Sequence, residues 1–147
     1  MIPLALLRIV ADATIPAQAV LALSRGLWLA RHRQRGAARR MLAMAVAVLA
    51  VAYALEYLDL WMALWPRFGL DYSTHTAVAL AITAVLWCFW SGGRWLWSAL
   101  SAGYCALMWW LHYHSWADML TTAAALAPWF ALAAWWTCGS KATTTMA

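Results

Sequence analysis

The chain has 147 residues, of which 67% are hydrophobic and 10% are charged, and its formal net charge is +5. An average soluble domain is about half apolar and about a quarter charged. A domain of this size also has too little interior to hide so much apolar surface. The composition therefore excludes an ordinary soluble domain and predicts a single all-α domain, residues 1–147, built as an integral membrane helical bundle.

The aromatic and sulfur-containing residues agree with this setting. Many of the thirteen tryptophans lie near the ends of apolar runs, where indole suits the membrane interface. The cysteines Cys88, Cys105 and Cys138 have neither CxxC nor metal-ligand spacing. They are predicted to be small buried side chains, and the sequence predicts neither a metal nor a cofactor.

Five membrane spans of roughly 20 residues each are predicted. In chain order they cover residues 2–30, 41–65, 73–90, 95–111 and 119–138. The first is the most polar, and Arg8 and Asp12, four residues apart, are expected to pair on one helix face. "SGGR", residues 91–94, predicts a short turn, so that the third and fourth spans form a hairpin.

Charge divides the connecting segments between two faces. One face receives Arg31, Arg33, Arg35, Arg39, Arg40, Arg94 and Lys141. By the positive-inside rule this face is cytoplasmic, which predicts a multi-pass inner-membrane protein with its N-terminus outside and its C-terminus inside. The basic segment 31–40 is expected to contact anionic lipid headgroups rather than nucleic acid. Association with a second copy or another membrane protein is also expected.

The opposite, non-cytoplasmic face collects most of the other ionisable residues. They are Glu56, Asp59, Arg67, Asp71, His75, His112, His114 and Asp118. Ionisable groups near membrane depth are costly and are usually functional. The pattern therefore favours a functional site at this face, and a solvated polar loop is the structural alternative.

His75 lies in "DYSTHTAVAL", at the predicted start of the third span. Asp71 or Ser73 is expected to cap this helix, because their side-chain oxygens accept the free N–H groups of a first turn. His75 would then lie near the positive end of the helix dipole, which suits a group that handles an anion.

A second group of polar residues, "HYHSWAD", covers residues 112–118. His114 and Asp118 are four apart, which on a helix places them on one face, where the carboxylate would fix the imidazole tautomer. His112 would point away from His114. Because the third and fourth spans form a hairpin, His75 and His114 are predicted to be neighbours in space.

The two motifs together resemble the type 2 phosphatidic acid phosphatase superfamily, which includes lipid phosphotransferases of the sphingomyelin synthase type. "STHT", residues 73–76, is similar to that family's Ser-Gly-His-Thr motif at the start of a span. "HSWADML", residues 114–120, has the spacing of its following His-x-x-x-Asp motif. The resemblance covers roughly residues 71–127, under half of the chain.

The resemblance implies a lipid phosphatase or phospholipid headgroup transferase that acts on membrane lipids and needs no metal. It makes His114 the nucleophile that forms a phosphohistidine, Asp118 the residue that orients it, and His75 the acid that protonates the leaving alcohol. Arg67 is the clear basic residue on this face and is expected to bind the substrate phosphate. His112 and Asp71 are additional candidates.

The chain departs from the family pattern at several positions. Thr74 replaces the glycine of the first motif, and Met108 stands where the phosphatases have an arginine. No Lys…Arg-Pro motif precedes them, so the transferase branch is the closer fit.

Other functions stay open at this point. A non-catalytic accessory subunit is one alternative, and in it His75 with either His112 or His114 would ligate a haem or pigment. A zinc site made of histidines and carboxylates ranks lowest, because no compact metal motif supports it.

Overall fold

The computed structural model describes residues 3–138, and this part of the chain is helical and contains no strand. Five helices follow one another: α1 (Leu4–Arg31), α2 (Arg35–Met62), α3 (Thr74–Phe89), α4 (Arg94–Trp110) and α5 (Trp116–Cys138). Two short 3-10 turns, Pro66–Phe68 and Ser91–Gly93, lie in the connections. The predicted all-α class and the number of helices are confirmed.

Three helices are long and apolar enough to cross a membrane, namely α1, α2 and α5, with 28, 28 and 23 residues. Helix α3 is apolar but has only 16 residues. At 1.5 Å per residue it is about 24 Å long, which is less than the roughly 30 Å of a hydrocarbon core. Helix α4 has 17 residues and is less apolar. The helices are consistent with a membrane protein, and three of the five predicted spans satisfy the length criterion.

Helix α3 is the centre of the bundle and packs against each of the other four helices. Its alanines Ala77, Ala79 and Ala81 are fully buried, and such small side chains let neighbouring helices approach closely. A buried hydrogen bond between the hydroxyl groups of Thr83 and Ser101 joins α3 to α4. The short helix is therefore the internal support on which the longer helices pack.

The outward faces of the bundle are covered with large apolar side chains. Exposed examples come from four helices: Leu23, Leu60, Trp95, Trp110 and Trp135. A surface with so much contiguous apolar area is typical of contact with lipid or with another apolar surface. The composition of the chain thus reflects the outside of the fold as much as its core.

Polar groups separate to the two ends of the bundle. The basic end contains the arginines Arg25, Arg31, Arg33, Arg35, Arg39, Arg40 and Arg94. The histidine end contains Glu56, Asp59, Arg67, Asp71, His75, His112, His114 and Asp118. Lys141, which was predicted to join the basic end, lies outside the described residues.

Two details of the first half differ from expectation. Helix α2 already begins at Arg35, so Arg39 and Arg40 lie on its first two turns and not in a loop. Arg8 and Asp12 do not form the expected ion pair. Among residues 3–138 the structure has one ion pair, which joins His114 to Asp71. Both side chains are exposed on α1, where surrounding solvent or headgroups compete with so weak a pair.

Candidate functional site

The histidine end is organised by the segment that connects α2 to α3. Helix α2 ends at Met62, and its C-cap Ala63 has a left-handed backbone with φ 49°. The Asp59 carboxylate then accepts a hydrogen bond from the Trp65 backbone N–H at 2.8 Å. A buried aspartate at the end of α2 therefore turns the chain back toward the start of α3.

Two aromatic residues anchor this connection to the bundle. The Tyr72 hydroxyl donates to the Ala52 carbonyl at 2.7 Å, and the Trp65 ring packs edge-on against the Tyr72 ring with centroids 4.9 Å apart. The Trp65 indole N–H donates to the Thr121 hydroxyl at 3.0 Å. Burial raises the pKa of Tyr72, which keeps its hydroxyl neutral and able to donate. The connection is thus tied to both α2 and α5.

Ser73 is the N-cap of α3, as the sequence predicted for Ser73 or Asp71. Its hydroxyl oxygen accepts the backbone N–H of Thr76 at 3.3 Å and donates to the Thr76 hydroxyl at 2.8 Å. The Ser73 N–H in turn donates to the Thr122 hydroxyl on α5 at 3.0 Å. Asp71 is thereby free for a different role.

Thr74, which stands where the resembled family has glycine, also has a structural partner. Its hydroxyl donates to Glu56 Oε1 on α2 at 2.9 Å. With the N–H groups of Ser73 and Thr76 already bonded, Thr74 and His75 supply the remaining N–H donors of the first turn of α3. These two donors, at the positive end of the helix dipole, suit an anion.

The sequence "SWAD", residues 115–118, forms a reciprocal cap at the start of α5. The Asp118 N–H donates to the Ser115 hydroxyl at 3.2 Å, and Asp118 Oδ2 accepts the Ser115 N–H at 2.8 Å and its hydroxyl at 2.7 Å. This is a capping box with aspartate as the second member. Asp118 Oδ1 accepts the Asp71 backbone N–H at 2.9 Å, which ties the connection to α5.

The expected helical relation between His114 and Asp118 is wrong, because α5 begins only at Trp116. His114 lies in the turn before the helix, and the Asp118 carboxylate is occupied by Ser115 and by the Asp71 backbone. An (i, i+4) spacing places two side chains together only within a continuous helix. The catalytic role of Asp118 stays a prediction.

Asp71 is the carboxylate beside His114. Its Oδ2 lies 3.6 Å from His114 Nδ1, and the Asp71 side chain is 71% exposed whereas that of His114 is 11% exposed. His114 Nδ1 is buried and has no hydrogen-bond partner. A short movement of the exposed Asp71 side chain would form the missing bond, since 3.6 Å exceeds the usual hydrogen-bond length only slightly.

His75 and His114 come together across the α3–α4 hairpin. Their ring centroids are 6.1 Å apart with an interplanar angle of 51°. His75 is exposed at the start of α3, whereas His114 is largely covered. The structure therefore makes neighbours of two histidines that are 39 positions apart in the sequence, as the hairpin predicted.

The surroundings of His114 favour its neutral form. Burial lowers the pKa of His114, and the nearby His75 lowers it further. The carboxylates of Asp71 and Asp118 act in the opposite direction without reversing the shift. A neutral imidazole keeps a lone pair on one ring nitrogen, which is the requirement for a nucleophile or base near pH 7.

His112 has a conformational role that was not predicted from the sequence. Its backbone is left-handed, with φ 57°, directly after the end of α4. The His112 N–H donates to the Trp109 carbonyl and the Tyr113 N–H donates to the Met108 carbonyl, both at 3.0 Å. This is the pattern of a Schellman motif with His112 at the position where glycine is usual. Its exposed ring is not part of the paired histidines.

Arg67 lies on the exposed turn Pro66–Phe68 of the same connection. It forms no ion pair among residues 3–138, and the structure records no contact between it and the two histidines. Met108, which stands where the resembled family has arginine, is buried in the core. The site as described thus has backbone donors for an anion and one free arginine nearby in the chain.

Metal-binding and thiol groups add little to this end. Within residues 3–138 no group of three or more histidines, cysteines and carboxylates is arranged to hold a metal ion. Cys88, Cys105 and Cys138 are free and partly buried.

Comparison of the chain with models of known families, with curated proteins and with solved structures gives no match. Its function must therefore be argued from the residues themselves.

Proposed function

We propose that this chain is a membrane lipid phosphatase or phospholipid headgroup transferase that works through His75 and His114. The observation that carries the proposal is their pairing at one end of an apolar bundle, with ring centroids 6.1 Å apart. One ring is exposed, whereas the other is shielded and has an unpartnered Nδ1 beside a carboxylate. In such a pair, one histidine can act as the nucleophile and the other as the acid.

His114 is the nucleophile in this proposal, and Asp71 is its orienting carboxylate. After the short side-chain movement that this bond needs, Asp71 accepts a hydrogen bond from Nδ1–H, which leaves the lone pair on Nε2. Nε2 attacks phosphorus, an N–P bond forms and the P–O bond to the leaving alcohol breaks. His75 gives its proton to that oxygen, and water or a lipid alcohol then attacks phosphorus, releases His114 and returns a proton to His75.

Asp118 supports the site indirectly in this account. Its carboxylate bonds Ser115 on one side and the Asp71 backbone on the other, so it fixes the turn that carries His114 relative to the residue that orients it. The proposal therefore assigns the orienting role to Asp71 and a positioning role to Asp118. Asp118 was the expected orienting residue from the sequence resemblance.

Charge on the phosphoryl oxygens needs donors that are already in place. The free N–H groups of Thr74 and His75 at the start of α3 are suitable, and the helix dipole adds to them. We assign Arg67, which lies on the exposed turn of the same connection, as a further phosphate ligand. Substitution of Arg67 by alanine is expected to raise KM or abolish turnover.

The setting of the proposed reaction is the interface of the inner membrane. Apolar outward faces and three helices of spanning length support insertion, and the arginines of the basic end support its cytoplasmic location. The histidine end then faces the opposite side, and the lipid substrate enters laterally with its phosphate at the interface.

The test is release of phosphate or headgroup from a panel of phospholipids in detergent with a chelator present. Wild type is expected to turn over at least one lipid, and His114→Ala should fall to background because it removes the nucleophile. His112→Ala is the matched control, since it changes a histidine in the same turn that lies outside the pair. Equal rates for wild type and His114→Ala would refute the mechanism.

A second candidate function is a non-catalytic accessory or pigment-binding subunit. It is favoured by the sparse positive charge near the histidines, where Met108 is buried at the resembled arginine position. If wild type releases nothing from any lipid, this candidate replaces the first. A visible absorption band in purified protein, lost in His75→Ala, would then support pigment binding.

A further inference from the structure

A long apolar groove runs between α1 and α2 with α3 as its floor. It consists of two adjoining parts of about 340 and 310 Å³. The parts share lining residues from all three helices: Ala22, Leu23, Ala45 and Val85. One end of the groove is lined by Arg39, and the other end is lined by Tyr53.

The groove exists because small residues face each other where larger side chains would fill the space. Ala22 and Gly26 on α1 lie opposite Ala38 and Ala45 on α2. A methyl group added at Gly26 would meet only the Met41 sulfur, at 4.0 Å. Exposed leucines border the opening, so the groove is accessible from the outward apolar surface.

The groove is longer than the hydrocarbon depth of one leaflet of a bilayer. From Arg39 to Tyr53 it follows 14 residues of α2, which is about 21 Å at 1.5 Å per residue. Half of a hydrocarbon core is about 15 Å. A single acyl chain that starts at the basic end would therefore lie within the groove along its whole depth.

The positive charge at the Arg39 end of the groove, called its mouth below, determines which kind of lipid binds. Arg39 lines the groove itself, and Arg40 follows it with a buried Nε that has no hydrogen-bond partner. Arg31, Arg33 and Arg35 are at the same end of the bundle but do not line the groove. All five acidic residues of the chain lie elsewhere, from Asp12 to Asp118. Guanidinium groups bind phosphate through paired hydrogen bonds, and an uncompensated cluster favours a lipid with net negative charge.

A second groove lacks this combination. It lies among α3, α4 and α5, has a volume of about 430 Å³, and is lined by Thr83, Cys88 and Ser98 besides apolar residues. No charged residue lines it. An apolar groove and a cationic mouth coincide between α1 and α2.

We propose that the groove between α1 and α2 binds one molecule of an anionic phospholipid, with an acyl chain along the groove and the phosphate at Arg39 and Arg40. This site is at the opposite end of the bundle from the histidines and does not depend on the proposed reaction. It adds a defined acyl pocket to the general attraction of a basic segment for anionic headgroups. The lipid fills the space that small side chains leave between the two helices.

The test is native mass spectrometry of the delipidated full-length protein, titrated with phosphatidylglycerol or with phosphatidylcholine of identical acyl chains. Wild type is expected to retain one phosphatidylglycerol with at least about tenfold preference. Arg39→Ala should remove most of that preference. Arg33→Ala is the matched control, because it removes an arginine from the same end outside the groove, and its preference should stay within about twofold of wild type.

The acyl chain is tested separately with two alanine-to-leucine variants. Ala45→Leu fills the junction of the two parts of the groove and should weaken both lipids, whereas Ala43→Leu adds the same side chain on an exposed face of α2. Equal binding by these two variants would overturn the groove as the site. Equal effects of Arg39→Ala and Arg33→Ala would show diffuse attraction only. A wild-type dimer that Ala45→Leu converts to monomers would show that a second copy covers the groove, and would also overturn the proposal.

Discussion

The two ends of the bundle hold their polar groups in different ways. At the histidine end, side chains bond between different segments, as Asp118 on α5 does to the Asp71 backbone of the α2–α3 connection and Thr74 on α3 does to Glu56 on α2. At the basic end, the arginines that are held bond main-chain carbonyls: Arg25 Nε donates to Phe89 and Arg94 Nε donates to Trp87. The bonds at the first end join α2, α3, α5 and the α2–α3 connection, whereas those at the second mainly complete the last turn of α3.

This difference distinguishes polar groups that complete the ends of helices from polar groups that are available for function. The carbonyls at the end of a helix need donors, and cations there also interact favourably with the helix dipole. The arginine contacts at the basic end meet that general need. At the histidine end the capping needs are met by serine, threonine and aspartate, so the paired histidines are left over. Within residues 3–138, His114 Nδ1 is the buried side-chain atom at that end without a partner.

The largest expected effect on stability comes from cutting the network at Asp118. Asp118→Ala removes the acceptor of three hydrogen bonds and leaves the N–H groups of Ser115 and Asp71 unpaired. We expect the free energy of unfolding to fall by about 2–4 kcal/mol. Thermal unfolding in detergent measures it. Ser115→Ala, which removes only the capping hydroxyl, should cost about 1 kcal/mol, and equal losses would mean that the bond to Asp71 contributes nothing.

The corresponding cut at the basic end is Arg25→Ala. It removes the charged donor to Phe89, at 3.0 Å, and the stacking of the guanidinium on Trp28, at 4.4 Å from the ring centroid. A loss of about 2 kcal/mol in unfolding free energy is expected, with lipid turnover per folded molecule unchanged. The exposed Arg33→Ala should stay within about 0.5 kcal/mol of wild type. A loss of turnover in folded Arg25→Ala would contradict the division between the ends.

Asp71→Asn sharpens the account of the histidine pair. Because the Asp71 charge raises the pKa of His114, its removal should lower that pKa further and move the acidic limb of kcat/KM to lower pH. The wild-type limb is itself expected below the ordinary histidine value of about 6.5. Turnover on the plateau should fall about tenfold, or about 1.4 kcal/mol, as the tautomer loses its orienting partner.

The control for Asp71→Asn is Glu56→Gln, which neutralises a carboxylate that bonds Thr74 instead of facing His114. The acidic limb of kcat/KM in Glu56→Gln should lie at the same pH as in wild type. A limb that moves to higher pH in Asp71→Asn would contradict the assigned position of that carboxylate. Solvent exposure of Asp71 keeps the expected shift small.

The smallest effect is expected at His112, where function and conformation are easily confused. His112→Gly should raise the unfolding free energy by about 1 kcal/mol, because glycine adopts the left-handed C′ conformation without strain. Turnover should not change. His112→Ala keeps the strain and should be nearly neutral in stability, so a gain of equal size in both variants would show that the backbone is not the cause.

The sequence predicted the parts of this site that depend on local chemistry and on connectivity. The turn at residues 91–94 predicted a hairpin of α3 and α4, and this hairpin places His75 beside His114. Ser73 was recognised as one of two capping candidates because small hydroxyl side chains favour that position. The fold class followed from composition, and the helix bounds followed within a few residues except at the start of α2.

The missed features depend on how polar groups distribute between elements. Asp118 was assigned to His114 by helical spacing, although "SWAD" carries a capping-box signature that predicts a helix start at residue 116. Asp71 was named only as an additional candidate, since its position beside His114 results from a connection without regular structure. The contact of Arg25 with Phe89 joins residues 64 positions apart and has no local signal.

The central claim is that His114 carries the phosphoryl or phosphodiester group during turnover. The most direct measurement is rapid quenching of the protein with a phospholipid labelled with ³²P, followed by peptide mapping under conditions that preserve phosphoramidates. The account predicts an acid-labile label on the peptide that contains His114, present in wild type and absent in His114→Gln. Turnover without any such label, or with the label on another residue, would contradict it.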